Sequence, residues 1–110
     1  MKIPENGILL RVFIGESDRI DGKPLYEHIV MLARKNNIAG ATVLRGIMGY
    51  GAASRVHSTK ILRLSEDLPI IIEIVDSEDK IQNFIPLLDE LVKEGLITIE
   101  RANVIKYRHA

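Results

Sequence analysis

The chain has no cysteine among its 110 residues. This absence excludes disulfide bonds, thiolate metal sites and cysteine nucleophiles, and it is consistent with a reducing cytoplasm. An excess of either charge is missing as well, because fifteen basic residues balance fifteen acidic ones. The protein therefore has no overall field that would attract nucleic acid or an anionic membrane, and any anion site must be local.

Long apolar runs are also absent. The run Ile70–Ile72 is interrupted at Glu73, far short of the roughly 20 residues that a membrane-spanning helix needs. No basic segment followed by an apolar stretch opens the chain. The length suits one compact domain, residues 1–110. We expect a cytoplasmic protein without membrane insertion and without nucleic-acid binding.

Four apolar, β-branched segments predict strands. The fourth is expected to be long or interrupted, with a bulge or turn at residues 100–103. Residues 16–22 are expected to form a polar loop. The predicted strands are Ile8–Ile14, Ala41–Ile47, Pro69–Val75, and Leu96–Ile99 continuing into Val104–Tyr107.

Two segments have the apolar spacing of helices. The first begins at Pro24 and ends near Asn36 and Asn37. The second follows Ser77, which favours a helix start, and ends by Gly95, which favours a helix stop. A proline within it, at position 86, predicts either a kink or a later start.

The order of these elements is that of the split βαβ pattern, which predicts an α+β, ferredoxin-like βαββαβ fold with an antiparallel four-stranded sheet and two helices on one face. The first and third strands are nevertheless apolar on both faces. Because exposing the second face would forfeit several kcal/mol at about 25 cal/mol per Å², we expect other copies of the chain to cover it.

The segment from Gly40 to Gly51 combines an apolar strand with a turn rich in glycine. Gly46, Gly49 and Gly51 can let a ligand approach the backbone, and the turn can present N–H groups to an anion. A turn of this kind is also common as a plain connection between strands. Both interpretations stay open at this point.

Several motifs resemble the PII-like family known as domain of unknown function 190, which is related to the nitrogen-regulatory PII signalling proteins. They span nearly the whole chain: Gly22-Lys23-Pro24-Leu25-Tyr26, Ala41-Thr42-Val43-Leu44-Arg45-Gly46, Gly49-Tyr50-Gly51, Leu62 to Pro69, and Glu73-Ile74-Val75-Asp76.

This resemblance implies a homotrimer with an adenine nucleotide as effector in clefts between subunits and no required cofactor. It also implies a regulatory role, exercised on an unidentified protein partner through the loop from Ala52 to Asp67. The nucleotide-binding residues, by matching motif, would be Thr42, Gly49, Gly51, Glu73, Ile74 and Val75, with Arg45 and Tyr50 as further candidates.

The chain also departs from the PII pattern. Ala52 stands where PII proteins have a basic residue, and Gly95 is not followed by their glycine-rich turn ending in lysine. Arg45 or Arg55 could supply the missing charge for a phosphate. Glu73 could instead pair with a basic residue at a subunit interface.

Catalysis is not expected, because no nucleophile has a recognisable base nearby in sequence. Glu66 and Asp67 are adjacent and are typical of a turn. His28, His57 and His109 lack the spacing of a metal site, so no metal is predicted. Two alternatives remain, a divalent-metal-binding trimeric protein and a small enzyme acting at the cleft.

Overall fold

The computed structural model describes residues 6–51 and 67–108. Its main sheet has four antiparallel strands, in the spatial order β4 (Ala41–Arg45), β5 (Pro69–Ser77), β1 (Asn6–Gly15) and β6 (Leu96–Asn103). The predicted α+β class, the four-stranded antiparallel sheet and the two helices are confirmed.

The centre of the sheet is β1, which pairs with β5 on one side and β6 on the other. From Ile8 onward its even-numbered residues, such as Leu10 and Val12, are buried, while the odd-numbered ones are half-exposed. Directly opposed residues of an antiparallel pair share a face, so Ile72 and Ile74 of β5 lie on the same buried side. The apolar alternation of the sequence therefore fixes the register of the sheet.

Both helices, α1 (Leu25–Lys35) and α2 (Glu78–Leu91), pack on this buried face. Their apolar stripes enter one core with the strands. No helix in the described parts of the chain has the length and apolar character that crossing a membrane would require. The core residues are Ile8, Leu10, Val12, Ile14, Leu25, Ile29, Ala33, Ile38, Ile70, Ile72, Ile74, Ile81, Phe84 and Leu88.

The ends of the helices follow from local hydrogen bonds. Asn37 adopts a positive φ of 58° just after α1, and the N–H groups of Asn37 and Ile38 donate to the carbonyls of Arg34 and Ala33. This is a Schellman arrangement, which places Ile38 in the core. At the start of α2, the hydroxyl of Ser77 accepts a bond from the Lys80 N–H.

Three expectations need correction. The helix α2 runs through Pro86, so a later start is wrong. The strand predicted as the fourth, which is β6, continues through residues 100–103, because these residues pair with the start of β1. It ends before Val104. The expected polar loop contains a small hairpin, in which β2 (Arg19–Ile20) pairs with β3 (Lys23–Pro24).

The buried carboxylate of Asp76, in β5, is hydrogen-bonded to two neighbouring segments at one end of the sheet. Asp76 is 2 % exposed, and its side chain accepts hydrogen bonds from the backbone N–H groups of Ala39, at 2.9 Å, and Ser77, at 2.6 Å. The tail after β6 lies at the same end, where the Tyr107 hydroxyl donates to the Ala39 carbonyl at 2.8 Å. Asp76 thus connects the loop before β4 to the start of α2.

The other face of the sheet, here called the uncovered face, has no helix packed on it in the described chain. An ion-paired cluster lies at its centre, where the guanidinium of Arg11 contacts the carboxylates of Glu73 and Glu100. Apolar side chains surround this cluster. The residues of the uncovered face are Leu9, Arg11, Phe13, Thr42, Leu44, Ile71, Glu73, Val75, Leu96, Thr98 and Glu100.

Candidate functional site

A cleft of about 360 Å³ opens at the end of the sheet where β1 ends and where β5 and β6 begin. We call it the sheet-end cleft. The antiparallel register brings these strand ends together, since Gly15 is opposite Pro69 and Phe13 is opposite Leu96. The residues that line it are Phe13, Ile14, Gly15, Asp18, Gly49, Tyr50, Gly51, Asp67, Pro69, Glu94, Gly95 and Leu96.

The glycine-rich turn after β4 forms one wall of this cleft. The Gly46 N–H donates to the Pro69 carbonyl at 2.7 Å, which holds the start of the turn against β5. A Cβ atom at Gly49 would lie 3.1 Å from the Pro69 side chain, whereas a Cβ atom at Gly51 would meet no described atom within 4 Å. Within the described chain, a side chain at position 49 would therefore contact Pro69 closely, whereas one at position 51 would not.

Large apolar side chains project from the same turn. Tyr50 is 78 % exposed, Ile47 is 90 % exposed, and Met48 is also exposed. Monomeric proteins seldom expose several such neighbours together, and a patch of this kind commonly marks a binding surface. The turn therefore has the character of a contact surface as well as of a connection.

Carboxylates dominate the polar lining of the cleft. Asp18 accepts a hydrogen bond from the Gly15 N–H at 3.0 Å, and Asp67 accepts one from the Ser17 N–H at 3.1 Å. These bonds fix both side chains at the end of β1. With Glu94, they give the sheet-end cleft three carboxylates, and its described lining contains no basic residue.

Arg45 does not line this cleft. It is opposite Ile70 in the ladder, on the helix-covered face at the edge of the sheet, and its guanidinium lies 3.0 Å from the carboxylate of Glu16. Its side chain is 62 % exposed. The arginine expected to meet a phosphate is thus paired with a carboxylate beside the cleft.

The remaining predicted residues divide between the two faces of the sheet. Thr42 and Glu73 are directly opposed on the uncovered face, and Val75 lies on the same face. Ile74 is fully buried in the core on the other side. Because successive strand residues point in opposite directions, the run from Glu73 to Val75 cannot contact one ligand with all three side chains.

Metal and catalytic candidates are not assembled in the described chain. Within residues 6–51 and 67–108, no group of three or more histidine or acidic residues is arranged to hold a metal ion. His28 Nε2 lies 3.0 Å from the Ile20 carbonyl, a structural contact with the small hairpin. Arg55, His57, Glu66 and His109, together with nearly all of the predicted signalling loop, lie outside the described residues.

The sequence reasoning missed Asp18, Asp67 and Glu94, together with the apolar floor that Phe13 and Leu96 provide. These residues are far apart in sequence. The strand order could have indicated that these residues lie together. An antiparallel sheet in which β1 pairs with β5 and β6 brings the end of β1 beside the starts of the other two strands.

The model of the protein family described as "Uncharacterized ACR, COG1993", domain of unknown function 190, matches residues 7–104. The chain belongs to this family. A UPF0166 protein of Methanocaldococcus jannaschii is 41% identical over 99 residues, which cover 89% of this chain and 91% of the relative. A UPF0166 protein of Aquifex aeolicus is 39% identical over 99 residues, covering 88% and 91%.

The fold is similar to that of CPII from Thiomonas intermedia K12, a nitrogen regulatory PII-like protein. The CPII structure bound to ADP, AMP and acetate has a TM-score of 0.60 and 14% identity, covering 96% of this chain and 94% of that one. A CPII structure bound to ADP and bicarbonate has a TM-score of 0.59 and 16% identity, covering 92% and 90%. The predicted membership of the domain of unknown function 190 family is confirmed, and the chain shares the fold of a PII-like protein.

Proposed function

We propose that this protein is a non-enzymatic PII-like regulator that binds an adenine nucleotide at the sheet-end cleft. The observation that carries the proposal is the position of the glycine-rich turn, residues 46–51, which borders an apolar-floored cleft at the end of the sheet. A largely apolar concavity with a few polar groups is the usual form of a small-molecule site. The shared fold with CPII, which binds ADP and AMP, supports the choice of ligand.

We propose a homotrimer of ferredoxin-like subunits as the functional assembly. The uncovered face of each subunit carries Leu9, Phe13, Leu44, Ile71 and Val75, most of them half-exposed. Burying such a face against other copies removes apolar area from water, which stabilises the assembly. The clefts between subunits would then complete the nucleotide site.

The predicted residues take different parts in this site. Gly49, Tyr50 and Gly51 border the ligand directly, with the exposed Tyr50 ring available to stack on a base. Thr42, Glu73 and Val75 contribute from the uncovered face, where a neighbouring subunit would meet them. Arg45 would contact the ligand only by leaving Glu16, and Ile74 supports β5 from the core.

The regulatory output would be a population shift, in which bound nucleotide favours one of two surfaces displayed to a protein partner. We place the protein in the cytoplasm, in agreement with its lack of cysteine.

Titration calorimetry with AMP, ADP and ATP tests the proposal. We expect binding to the wild-type protein and a loss of about 5- to 150-fold in affinity for Tyr50→Ala, since stacking on an aromatic ring contributes about 1–3 kcal/mol per base. The matched control is Ile105→Ala, another exposed apolar side chain, which does not line the cleft.

The control variant should bind as the wild type does. Absence of binding by all three nucleotides would refute the proposed function. Equal affinities of the wild type and Tyr50→Ala would place the ligand elsewhere on the protein.

A further inference from the structure

The charge of the sheet-end cleft restricts which part of a nucleotide it can hold. Asp18, Asp67 and Glu94 line it, together with an apolar floor that includes Phe13 and Leu96. The backbone bonds from Gly15 and Ser17 keep the first two carboxylates in place. A phosphate entering this space would meet like charges.

A nucleoside suits the same space better. The apolar floor and the Tyr50 ring can contact a base, and carboxylates accept hydrogen bonds from ribose hydroxyls, as an acidic residue does in many dinucleotide-binding sites. Among the described residues, each of Asp18 and Asp67 accepts a backbone N–H bond through one oxygen, and a carboxylate has a second oxygen that can accept another hydrogen bond.

The described basic residues around the cleft lie outside its lining. Arg19 and Lys93 line a neighbouring groove that shares Asp18 and Glu94 with the cleft. Arg45 lies outside the cleft, on the opposite side of the sheet edge, and pairs with Glu16. Phosphates that reach Arg45 or a neighbouring subunit must therefore point out of the cleft. Every phosphate beyond the first increases the repulsion from the three carboxylates.

Resting on the proposed function, we propose that the sheet-end cleft selects the nucleoside portion of its ligand and discriminates against additional phosphates. Adenosine and AMP are the preferred ligands of this chain, and ATP is disfavoured. Glu94 is a specificity-determining residue, because it contributes repulsion without having a described hydrogen bond to the backbone of the cleft.

The experiment compares the affinities for adenosine, AMP, ADP and ATP by calorimetry, in the absence of divalent cations. We expect affinity to fall about threefold or more with each added phosphate at low salt. The fall should become smaller at about 0.15 M salt, where the Debye length is about 8 Å. If steric exclusion alone weakened the binding of additional phosphates, the fall in affinity would not depend on salt in this way.

Glu94→Gln should raise the ratio of the ATP affinity to the adenosine affinity about two- to fivefold, since only one charge is removed. Glu27→Gln is the control, because it removes the same charge from an exposed position on α1 that does not line the cleft. It should leave the ratio of the ATP and adenosine affinities as in the wild type.

Binding of none of the four ligands would refute the proposed function and, with it, this inference. Affinity that rises with phosphate number would overturn the inference alone, with the proposed function intact. An unchanged ratio in Glu94→Gln, with measurable binding, would do the same.

Discussion

Arg11 and Glu73 are directly opposed on the two central strands, and their side chains form an ion pair with a 2.9 Å distance between Nε and Oε2. Glu100 contacts the same guanidinium from the other neighbouring strand. The hydrogen bonds with Glu73 and then Glu100 raise the pKa of Arg11 above its ordinary value. Because a raised pKa keeps the guanidinium protonated far above neutral pH, titration of Arg11 does not affect stability near neutrality.

Replacement of Arg11 by methionine should leave two carboxylates facing each other across β1. We expect a lower midpoint of urea denaturation than in the wild type, with a smaller difference at about 1 M salt, where repulsion is screened within about 3 Å. The double variant Arg11→Met/Glu73→Gln should recover part of the loss. A midpoint unaffected by Arg11→Met would show that the cluster contributes nothing to stability.

Light scattering should report about three times the chain mass of 12.4 kDa. Leu44→Glu places a charge at an exposed position of the uncovered face, so it should dissociate the trimer without unfolding the subunit. Met31→Glu introduces the same charge at an exposed site on α1 and should leave the trimer intact. A wild-type protein that is monomeric at micromolar concentration would contradict the proposed assembly.

The carboxylate of Asp76 should be needed for stability. Asp76→Ala leaves the buried N–H groups of Ala39 and Ser77 without their acceptor, so we expect a loss of about 1–3 kcal/mol in the free energy of unfolding. Asp89→Ala changes an exposed acidic residue of α2 and should remain within about 0.5 kcal/mol. Equal denaturation curves for the two variants would mean that these bonds stabilise nothing.

Two glycines of the sheet-end cleft should respond differently to alanine. Gly95 has a φ of 151°, and a Cβ atom there would lie 2.7 Å from the Phe13 carbonyl oxygen. Gly95→Ala should therefore destabilise the fold by about 1–3 kcal/mol. Gly51→Ala meets no described atom within 4 Å and should remain within about 0.5 kcal/mol. Thermal unfolding of both variants measures the difference, and equal melting temperatures would argue against strain at Gly95.

Much of the fold could be predicted because the long strands and helices bury regular apolar patterns. The strand β1 alternates between buried and half-exposed residues from Ile8 to its end, and α2 has both a cap and an apolar stripe. The extension of β6 through residues 100–103 was missed, since its polar side chains are mostly exposed at the sheet edge and carry no apolar signal. Backbone pairing with β1 determines that residues 100–103 form a strand.

The small hairpin shows a local signal that was overlooked. Asp21 and Gly22 both adopt positive φ, 51° and 78°, between two paired two-residue strands. Such an Asp-Gly pair is the preferred sequence of a type I′ turn. It could have been recognised from sequence alone.

The candidate site was less predictable than the fold. The sequence drew attention to the glycine-rich turn, which borders the sheet-end cleft, but the carboxylates opposite it come from three other segments of the chain. Their meeting depends on strand order and on where each strand ends. Arg45 was expected near a phosphate, and only the structure places it beside Glu16.

The central position of β1 also has a consequence for how the chain is made. Arg11 is synthesised before its partners Glu73 and Glu100, which follow 62 and 89 positions later. The first strand must therefore remain without its partner strands while the intervening chain is synthesised. Sequence-distant pairing of this kind slows folding, and it exposes an apolar segment to chaperones and to other nascent chains during that interval.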